Sequence, residues 1–353
     1  MKICTIAGTR PEIIKLSQLI PLLDRKYDHL FVYTGQHYST NMRDIFFSEL
    51  NIRQPDYDID SKSSDISKLE KELYSILQNE RPSYVLVYGD TNSTVAGAKA
   101  AKRIESKLIH IEAGLRSFDL RMPEERNRKF VDSISDYLLT PTNLTKTFLE
   151  YEGYKNIYVV GNPIVDACMG YLPKALKRKT RSGLGLNDEF ILITLHRQEN
   201  VDNKFVLKKI LKHLETLEYQ CVFPIHPRTK KRLEGYGIKL PKNIQTLEPL
   251  GYLDFLNLLY HSTIVLTDSG GVQEEAITLK KPCITLRETT ERWETVLMGV
   301  NRLFPPLNSQ ESLSSVVDET KGKYNHIQKL KNPYGNGDSS KKIVKVIEKI
   351  TGE

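Results

Sequence analysis

The chain has 353 residues, a length that favours two domains because single hydrophobic cores stop growing at about 250–300 residues. With 39 % hydrophobic and 27 % charged residues, the composition excludes disorder of the whole chain. The formal net charge of +7 suits an anionic ligand, and no apolar run reaches the roughly 18–20 residues of a membrane span, so no membrane partner is expected.

Short apolar runs alternate with helical patterns along the first half of the chain. The first run is too short for a signal-peptide core and predicts a buried strand of a cytoplasmic protein. The predicted strands are Lys2–Ala7, Leu30–Thr34, Tyr84–Tyr88, Leu108–Ile111, Tyr137–Thr140 and Ile157–Val160. The predicted helices are Pro11–Leu23, Ile66–Gln78, Ser93–Ile104 and Leu144–Glu152. Near-continuous apolar strands are typical of a parallel sheet covered by helices on both faces.

The same alternation starts again after residue 180. The predicted strands are Phe190–Thr194, Cys221–Pro224, Ile244–Leu247, Ile264–Thr267 and Cys283–Leu286, and the helices are Lys204–Leu217, Leu253–His261 and Val272–Leu279. A helix over Pro163–Leu176 and a hinge near 165–185 separate the halves. We therefore predict two doubly wound α/β domains, 1–168 and 169–338, with a cleft between them and an amphipathic helix within 339–353.

Several function classes are disfavoured by what the sequence lacks. The four cysteines at 4, 168, 221 and 283 lie far apart within or beside apolar runs, which favours buried thiols over a disulfide or a catalytic thiol. The basic run Lys174–Arg181 lacks interleaved aromatics, so it indicates a solvated linker and no nucleic-acid partner. Neither a G-x-G-x-x-G nor a P-loop motif is present, and no Cys/His ligand cluster is found, so we expect no cofactor and no metal.

A first polar cluster, Gly8-Thr9-Arg10-Pro11-Glu12, follows the first predicted strand. Proline opens a helix at its first position, and a helix N-terminus attracts anions. Arg10 and Lys15 add positive charge that would suit a diphosphate. The alternative is a capped helix with surface cations.

Three acidic residues of the first half follow predicted strand ends or open a helix. They are Asp90 in Gly89-Asp90-Thr91, Glu112, and Glu124 at the start of a helix that begins at Pro123. We expect them at one rim, where grouped carboxylates repel and at least one has a raised pKa, as general acid/base chemistry requires. As alternatives, Asp90 caps a helix and Glu124 is an ordinary acid of a first turn.

The second half carries its own clusters at strand ends. His196-Arg197 and His226-Pro227-Arg228 follow successive strands, which favours anion binding over isolated structural histidines. Ser269-Gly270-Gly271 then forms a turn between a strand and a helix, where backbone amides and the Ser269 hydroxyl can approach phosphate. Glu275, one turn further, could accept hydrogen bonds from ribose hydroxyls, and Arg287 and Arg292 could close over a diphosphate.

Taken together, these motifs resemble the non-hydrolysing UDP-N-acetylglucosamine 2-epimerases. The resemblance rests on GTRPE with Lys15, TGQHY at 34–38, GDT at 89–91, HIEAGLRS at 110–117, PEERNR at 123–128, GN at 161–162, LHRQEN at 195–200, HPRT at 226–229, TDSGGVQEEA at 267–276 and TER at 290–292. It implies the GT-B fold, with the C-terminal helix packing on the N-terminal domain. It also implies interconversion of UDP-GlcNAc and UDP-ManNAc without a cofactor, commonly by a homodimer.

The resemblance also implies roles for individual residues. Asp90, Glu112 and Glu124 match the family's acid/base carboxylates, and His196 is implied in both catalysis and binding. The positions that match UDP-sugar-binding residues are Arg10, Lys15, Asp90, Glu112, His196, Leu250, Phe255, Ser269, Gly270, Gly271, Glu275 and Arg292, with Leu250 and Phe255 at the uracil. Gln36, His37 and His226 match an allosteric site.

Two departures from the family pattern keep alternatives open. Trp293 replaces the usual proline after Thr-Glu-Arg, and related epimerases of modified UDP-sugars also vary just after this motif. The segment 59–68 lacks the glutamine-containing pattern of many bacterial members, which puts allosteric activation in doubt. The alternatives are a 2-epimerase of a modified UDP-N-acetylhexosamine, a GT-B glycosyltransferase, a hydrolysing epimerase, or a nucleotide-sugar sensor.

Overall fold

A computed structural model of the protein describes residues 1–35, 47–61 and 65–352. The chain divides into two compact units, unit 1 comprising Met1–Ala167 with Tyr334–Glu353, and unit 2 comprising Cys168–Pro333. The boundaries fall after Ala167 and Pro333, where we expected them after 168 and 338.

Unit 1 is built on a parallel sheet. Its strands among the described residues are β1 (Lys2–Ala7), β2 (Asp28–Tyr33), β3 (Tyr57–Asp58), β4 (Tyr84–Tyr88), β5 (Lys107–Ile111), β6 (Tyr137–Thr140) and β7 (Ile157–Val159). Their spatial order is β3-β2-β1-β4-β5-β6-β7, and every pair is parallel. The order reverses direction at β1 and β4, a position where doubly wound sheets bind ligands at the carboxyl ends of their strands.

The helices of unit 1 follow its strands along the chain. Those that lie wholly within the described residues are α1 (Arg10–Leu16), α2 (Ile20–Lys26), α3 (Ile66–Glu80), α4 (Asn92–Arg103), α5 (Pro123–Ile134), α6 (Asn143–Tyr151) and the beginning of α7 (Pro163–Ala175). The predicted single helix Pro11–Leu23 is wrong, because the helix ends at Leu16 and a second one begins at Ile20. The amide and hydroxyl of Ser17 both donate to the Ile14 carbonyl, at 3.3 and 2.7 Å, which tightens and ends the first helix.

Unit 2 repeats the architecture with fewer strands. Among the described residues its strands are β8 (Phe190–Thr194), β9 (Gln220–Pro224), β10 (Ile244–Leu247), β11 (Ile264–Thr267), β12 (Cys283–Thr285) and β13 (Asn301–Leu303), in the parallel order β10-β9-β8-β11-β12-β13. Its helices are α8 (Thr180–Gly183), α9 (Gln198–Val201), α10 (Lys204–Glu215), α11 (Pro227–Tyr236), α12 (Tyr252–His261), α13 (Gly270–Thr278), α14 (Trp293–Leu297), α15 (Leu313–Gly322) and α16 (Tyr324–Lys329). Two Rossmann-like α/β domains are thus confirmed.

The last helix, α17 (Ser339–Thr351), belongs to unit 1. The Asp166 carboxylate accepts hydrogen bonds from the amides of Ser339 and Ser340, at 3.0 and 2.6 Å, and so caps the helix start. The Tyr334 carbonyl accepts a hydrogen bond of 2.8 Å from the Asn162 amide. These contacts attach the C-terminal segment to the loop and helix that follow β7.

The four cysteines are free and fully buried, as predicted for small apolar residues. Burial raises the pKa of the Cys221 and Cys283 thiols to about 12, so neither is a thiolate at neutral pH. None of the helices in the described part of the chain is long and apolar enough to cross a membrane.

Candidate functional site

In unit 1, the polar clusters predicted from the sequence follow three neighbouring strands. Arg10 lies in the first turn of α1 after β1, Asp90 follows β4, and Glu112 follows β5. Because β1, β4 and β5 are adjacent and parallel, their carboxyl ends lie at the same edge of the sheet. The fold therefore brings these three clusters together, as a ligand site at a sheet edge requires.

The side chain of Glu112 is held in a buried cluster at this edge. Its Oε2 atom accepts hydrogen bonds from the Lys15 ammonium at 2.5 Å, the Tyr88 hydroxyl at 3.0 Å and the Asn162 side-chain amide at 2.9 Å. Lys15 and Glu112 are only 6 % and 7 % exposed. The positive charge of Lys15, which we expected to suit a diphosphate, thus forms a buried ion pair with Glu112.

Asp90 contacts α5, the helix on which Glu124 lies. The Asp90 carboxylate forms an ion pair with Arg128, which also pairs with the buried carboxylate of Glu125. Glu124 lies in the first turn of the same helix and is half-buried. The expectation of mutually repelling carboxylates was incomplete, because the fold places Lys15 and Arg128 among them.

Glu12 links the two turns that follow β1 and β4. One of its oxygens accepts hydrogen bonds from the amides of Gly8 and Thr9, at 2.9 and 2.7 Å, and the other accepts one from the Thr91 hydroxyl at 3.0 Å. Burial raises the pKa of the Glu12 carboxyl above its ordinary value, although these hydrogen bonds act in the opposite direction. The amides of Gly8 and Thr9, just before α1, are therefore occupied by a residue of the chain itself.

A network of buried charged side chains lies next to the same edge of the sheet. The His110 ring contacts the Gly89 carbonyl at 2.8 Å and the Asp132 carboxylate at 2.7 Å. Asp132 also accepts a hydrogen bond of 2.7 Å from Arg116, which forms a two-pronged ion pair with Glu152 at 2.9 and 2.6 Å. This network fixes the turn that contains Asp90 and the segment that follows Glu112.

In unit 2, Asp268 organises the segment after β8. Its carboxylate is fully buried and accepts hydrogen bonds from the backbone amides of His196 and Arg197, at 2.9 and 2.8 Å. The His196 ring also lies 3.3 Å from Asp268 and is about one-third exposed. His196 is thus held at the carboxyl end of β8 by a buried anion.

The two histidines that follow successive strands of unit 2 are in direct ring contact. The centroids of His196 and His226 are 5.3 Å apart. Nδ1 of His226 accepts a hydrogen bond of 3.2 Å from the Arg228 amide and so caps α11. Gln36 and His37, the other positions matched to an allosteric site, lie outside the described residues.

The predicted glycine turn, Ser269–Gly271, opens α13. The Ser269 amide donates to the Thr267 hydroxyl at 2.9 Å, and the Ser269 side chain makes no capping hydrogen bond. A methyl group added at Gly270 would lie 2.5 Å from a carboxylate oxygen of Glu291, whereas one added at Gly271 would meet nothing within 4 Å. A side chain at position 270 would therefore collide with the Glu291 carboxylate, whereas position 271 borders open space.

The two glycines should therefore respond differently to replacement by alanine. Gly270→Ala is expected to lower the free energy of unfolding by about 1–3 kcal/mol, because Glu291 is held by several arginines and cannot move aside cheaply. Gly271→Ala should change it by less than about 1 kcal/mol, in the stabilising direction, because alanine favours helix. Urea unfolding of both variants measures the difference, and equal effects would contradict the assigned role of Glu291.

Three arginines surround Glu291, Arg197 from the segment after β8 and Arg287 and Arg292 from the loop that contains Glu291 itself. Its carboxylate lies 3.4 Å from Arg197, 3.0 Å from Arg287 and 3.5 Å from Arg292. Arg292 also contacts the fully buried Glu274 at 2.6 Å. Planar guanidinium groups are suited to phosphate oxygens, and here they lie beside the N-terminus of α13, where anions are stabilised. Sequence reasoning grouped Arg197 with His196 after β8, but it did not place Arg197 beside Glu291.

The other predicted ligand residues of unit 2 lie on α12 and α13 or next to them. Glu275 is 5 % exposed and lies near Tyr252. Burial raises the pKa of the Tyr252 phenol well above its ordinary value, and the charge of Glu275 adds to the rise. Leu250 and Phe255, matched to the uracil position, are half-buried before and within the first turn of α12.

Searched over the described ranges, the structure contains no group of three or more His, Cys, Asp or Glu side chains that could hold a metal ion. The residues that sequence reasoning missed are Tyr88, Asn162, Asp132, Asp268 and Glu291. Tyr88 and Asn162 contact Glu112, and Asp268 contacts His196, each from a distant part of the sequence. Asp132 contacts His110 and Arg116, and Glu291 is next in sequence to Arg292.

Comparison with known proteins decides the family. A model of the UDP-N-acetylglucosamine 2-epimerase family matches residues 23–348. The chain belongs to this family. It is 45 % identical to the UDP-N-acetylglucosamine 2-epimerase of Methanocaldococcus jannaschii, with 98 % of this chain and 99 % of the relative covered.

Two further comparisons concern structure and substrate. A crystal structure of the M. jannaschii UDP-GlcNAc 2-epimerase in complex with UDP-GlcNAc and UDP matches with a TM-score of 0.93 and 45 % identity, covering 99 % of this chain and 100 % of that one. The UDP-2,3-diacetamido-2,3-dideoxy-D-glucuronate 2-epimerase of Pseudomonas aeruginosa is 39 % identical over 99 % of this chain and 100 % of its own length. As a member of the UDP-N-acetylglucosamine 2-epimerase family, the protein is an isomerase, and the predicted GT-B fold class is confirmed.

Proposed function

We propose that this protein is a non-hydrolysing 2-epimerase that interconverts UDP-GlcNAc and UDP-ManNAc. The proposal depends on the presence of two sets of residues in one chain of this family. Unit 1 contains the carboxylates Asp90, Glu112 and Glu124, and unit 2 contains the glycine turn with its neighbouring arginines. Acid/base residues and an anion-binding turn are the two parts that the chemistry below requires.

The proposed reaction begins with removal of the C2 proton by a carboxylate while the C1–O bond to UDP breaks. This gives 2-acetamidoglucal and UDP, both still bound. A proton then returns to the opposite face of C2 and UDP adds again at C1. Because C2 is not flanked by a carbonyl group, its deprotonation depends on expelling UDP, and cations that stabilise the developing diphosphate charge make this feasible.

The proposal assigns roles to residues of each unit. In unit 1, Asp90, Glu112 and Glu124 act in acid/base chemistry, and Arg10 and Lys15 contribute positive charge. The proposed UDP-binding residues of unit 2 are His196, Leu250, Phe255, Ser269, Gly270, Gly271, Glu275 and Arg292. Support for the diphosphate part comes from the arginines around Glu291 and from the open space beside Gly271.

A second candidate is 2-epimerisation of a modified UDP-N-acetylhexosamine. The relative from P. aeruginosa, whose name specifies a diacetamido uronate sugar, favours it, as does Trp293 at a position that varies among such enzymes.

A GT-B glycosyltransferase would need an acceptor site and would not need the three carboxylates of unit 1. Family resemblance also supports a cytoplasmic location and a homodimer. Analytical ultracentrifugation would test the homodimer.

Incubation with UDP-GlcNAc in deuterated water, with EDTA and without added NAD, tests the proposal. We expect UDP-ManNAc with deuterium at C2, because the proton that returns comes from a group in exchange with solvent. A parallel incubation with a 2,3-diacetamido UDP-uronate distinguishes the two epimerase candidates. Mass spectrometry and NMR of the products provide the measurement.

Each other outcome points to a different activity. Free ManNAc together with UDP would indicate a hydrolysing epimerase. Unchanged UDP-GlcNAc with conversion of the modified sugar would favour the second candidate. Both sugars unchanged would contradict an epimerase and favour a transferase or a sensor.

A further inference from the structure

The side chain of His110, on β5, connects the turn that carries Asp90 to helix α5. The ring is fully buried. Its Nε2 atom lies 2.8 Å from the Gly89 carbonyl, and its Nδ1 atom lies 2.7 Å from the Asp132 carboxylate. Because a carbonyl oxygen can only accept a hydrogen bond, Nε2 carries a proton and donates it to Gly89.

The partner of the other ring nitrogen is a carboxylate beside a guanidinium group. The second oxygen of Asp132 accepts hydrogen bonds from Arg116 at 2.7 Å and from the Gly114 amide at 3.4 Å. These donors favour the ionised form of Asp132, which can only accept hydrogen bonds. Nδ1 of His110 therefore carries a proton as well, and the ring is a buried cation that donates to two acceptors.

The carbonyl that His110 holds belongs to the peptide group between Gly89 and Asp90. Gly89 has a φ angle of +67°, and its amide donates to the Ile111 carbonyl at 3.0 Å. The carbonyl of Asp90 itself accepts a hydrogen bond of 2.9 Å from the side chain of Asn127, on α5. The two planar peptide groups that flank the Asp90 Cα atom are thus both held by side chains, and together they set the direction in which the Asp90 side chain leaves the backbone.

Unit 1 contains a second histidine with a similar pair of contacts, which serves as an internal comparison. Nδ1 of His29, on β2, lies 2.6 Å from the Asp24 carboxylate, and its Nε2 lies 2.9 Å from the Thr5 hydroxyl. Because a hydroxyl can donate as well as accept, this ring needs no second proton. Burial lowers the pKa of the His29 ring below its ordinary value, although the contact with Asp24 acts in the opposite direction. What distinguishes His110 is a backbone carbonyl next to a carboxylate of the proposed site.

We propose that His110 is a positioning residue that donates from both ring nitrogens and, through the Gly89 carbonyl, holds the Asp90 carboxylate in place for acid/base chemistry on the sugar. This inference rests on the proposed epimerase function and adds a residue to it. His110 is buried and acts through Asp90. Its effect on the rate follows from geometry, since a misplacement of about 1 Å can cost roughly 100-fold.

NMR of the wild-type protein with isotope-labelled histidine nitrogens tests the two donors directly. Near neutral pH we expect two ring N–H protons for His110 and one for His29, because only His110 lies between two groups that can do no more than accept. A His110 ring that lacks either proton would overturn the inference. This measurement does not depend on activity.

Two substitutions separate the contacts of His110. The side-chain nitrogen of glutamine can replace Nε2 and donate to Gly89, whereas that of the shorter asparagine reaches only the position of Nδ1. We expect kcat for UDP-GlcNAc epimerisation to fall by roughly 100-fold in His110→Asn and by less than about 10-fold in His110→Gln. The Kd for UDP should stay within about twofold of the wild-type value in both. His29→Asn is the matched control and should retain wild-type kcat.

The outcomes separate this inference from the proposed function. Equal losses of kcat in the two folded variants, or no loss in His110→Asn, would overturn the inference while the epimerase function stands. If neither variant folds, the NMR measurement on the wild type still decides whether His110 donates to both partners. A wild-type protein that does not epimerise UDP-GlcNAc would instead refute the proposed function, and the positioning role with it.

Discussion

Glu112→Gln is expected to lower kcat for UDP-GlcNAc epimerisation by at least about 10³-fold while UDP still binds. Glutamine has the shape of glutamate, but its amide cannot accept a proton from C2. It also cannot balance the charge of Lys15, whose ammonium lies 2.5 Å from the carboxylate. Steady-state kinetics and a UDP titration by calorimetry measure the two quantities, and the Kd for UDP should remain within about threefold of that of the wild type.

Glu80→Gln is a suitable control for this variant. Glu80 also accepts hydrogen bonds from a lysine and a tyrosine, Lys2 and Tyr57, but at the C-terminal end of α3. We expect wild-type kcat in that variant, because the hydrogen bonds that it weakens support only the surface of unit 1. Full activity in Glu112→Gln would refute the assigned role of Glu112 and direct attention to Asp90 or Glu124.

Arg116→Leu is expected to have the largest effect on stability, a loss of about 3–5 kcal/mol in the free energy of unfolding. Arg116 is fully buried and contacts Asp132, which is also fully buried, and Glu152. Removing the guanidinium takes the buried arginine away from the Asp132 carboxylate, a change far costlier than the loss of a surface ion pair. The urea midpoint for unfolding of unit 1, followed by circular dichroism, provides the measurement.

Arg121→Leu is the matched control for this substitution. Arg121 also forms a two-pronged contact with a carboxylate, that of Asp119, at 2.8 Å, but its side chain is 83 % exposed. We expect a change below about 1 kcal/mol, because water and salt screen such pairs. Equal losses in the two variants would show that burial of the Arg116 network contributes nothing.

The cost of Arg116→Leu should also depend on pH. Burial acts to raise the pKa of Glu152, but hydrogen bonds from Arg116 and Lys129 outweigh it and hold that pKa to about 2, below the ordinary 4.5. A carboxylate with a depressed pKa stabilises the folded state fully above about pH 4.5 and loses that contribution as the pH falls toward 2. The difference in stability between the wild type and the variant should therefore shrink on acidification from pH 7 to pH 3.5.

The sequence by itself determined the class of fold and the positions of its polar clusters. Continuous apolar runs such as those of β4 and β11 are buried on both sides only in a sheet that helices cover on both faces. The predicted bounds of β1, β4 and β8 match the structure residue by residue. The two edge strands β3 and β13, of two and three residues, were not predicted, because so short a run has no recognisable period. Local turn chemistry likewise predicted that Arg10, Asp90 and Ser269 lie where a strand gives way to a helix.

Only the tertiary structure decided which charged groups meet. Lys15 and Glu112 are separated by 97 positions in the chain, and Arg197 and Glu291 by 94. Electrostatic interactions depend on distance through space, on burial and on the neighbouring donors, and none of these is a function of sequence spacing. For that reason the three carboxylates of unit 1 could be named from their positions after strands, whereas the cations and hydrogen-bond donors that determine their chemistry became visible only in the folded chain.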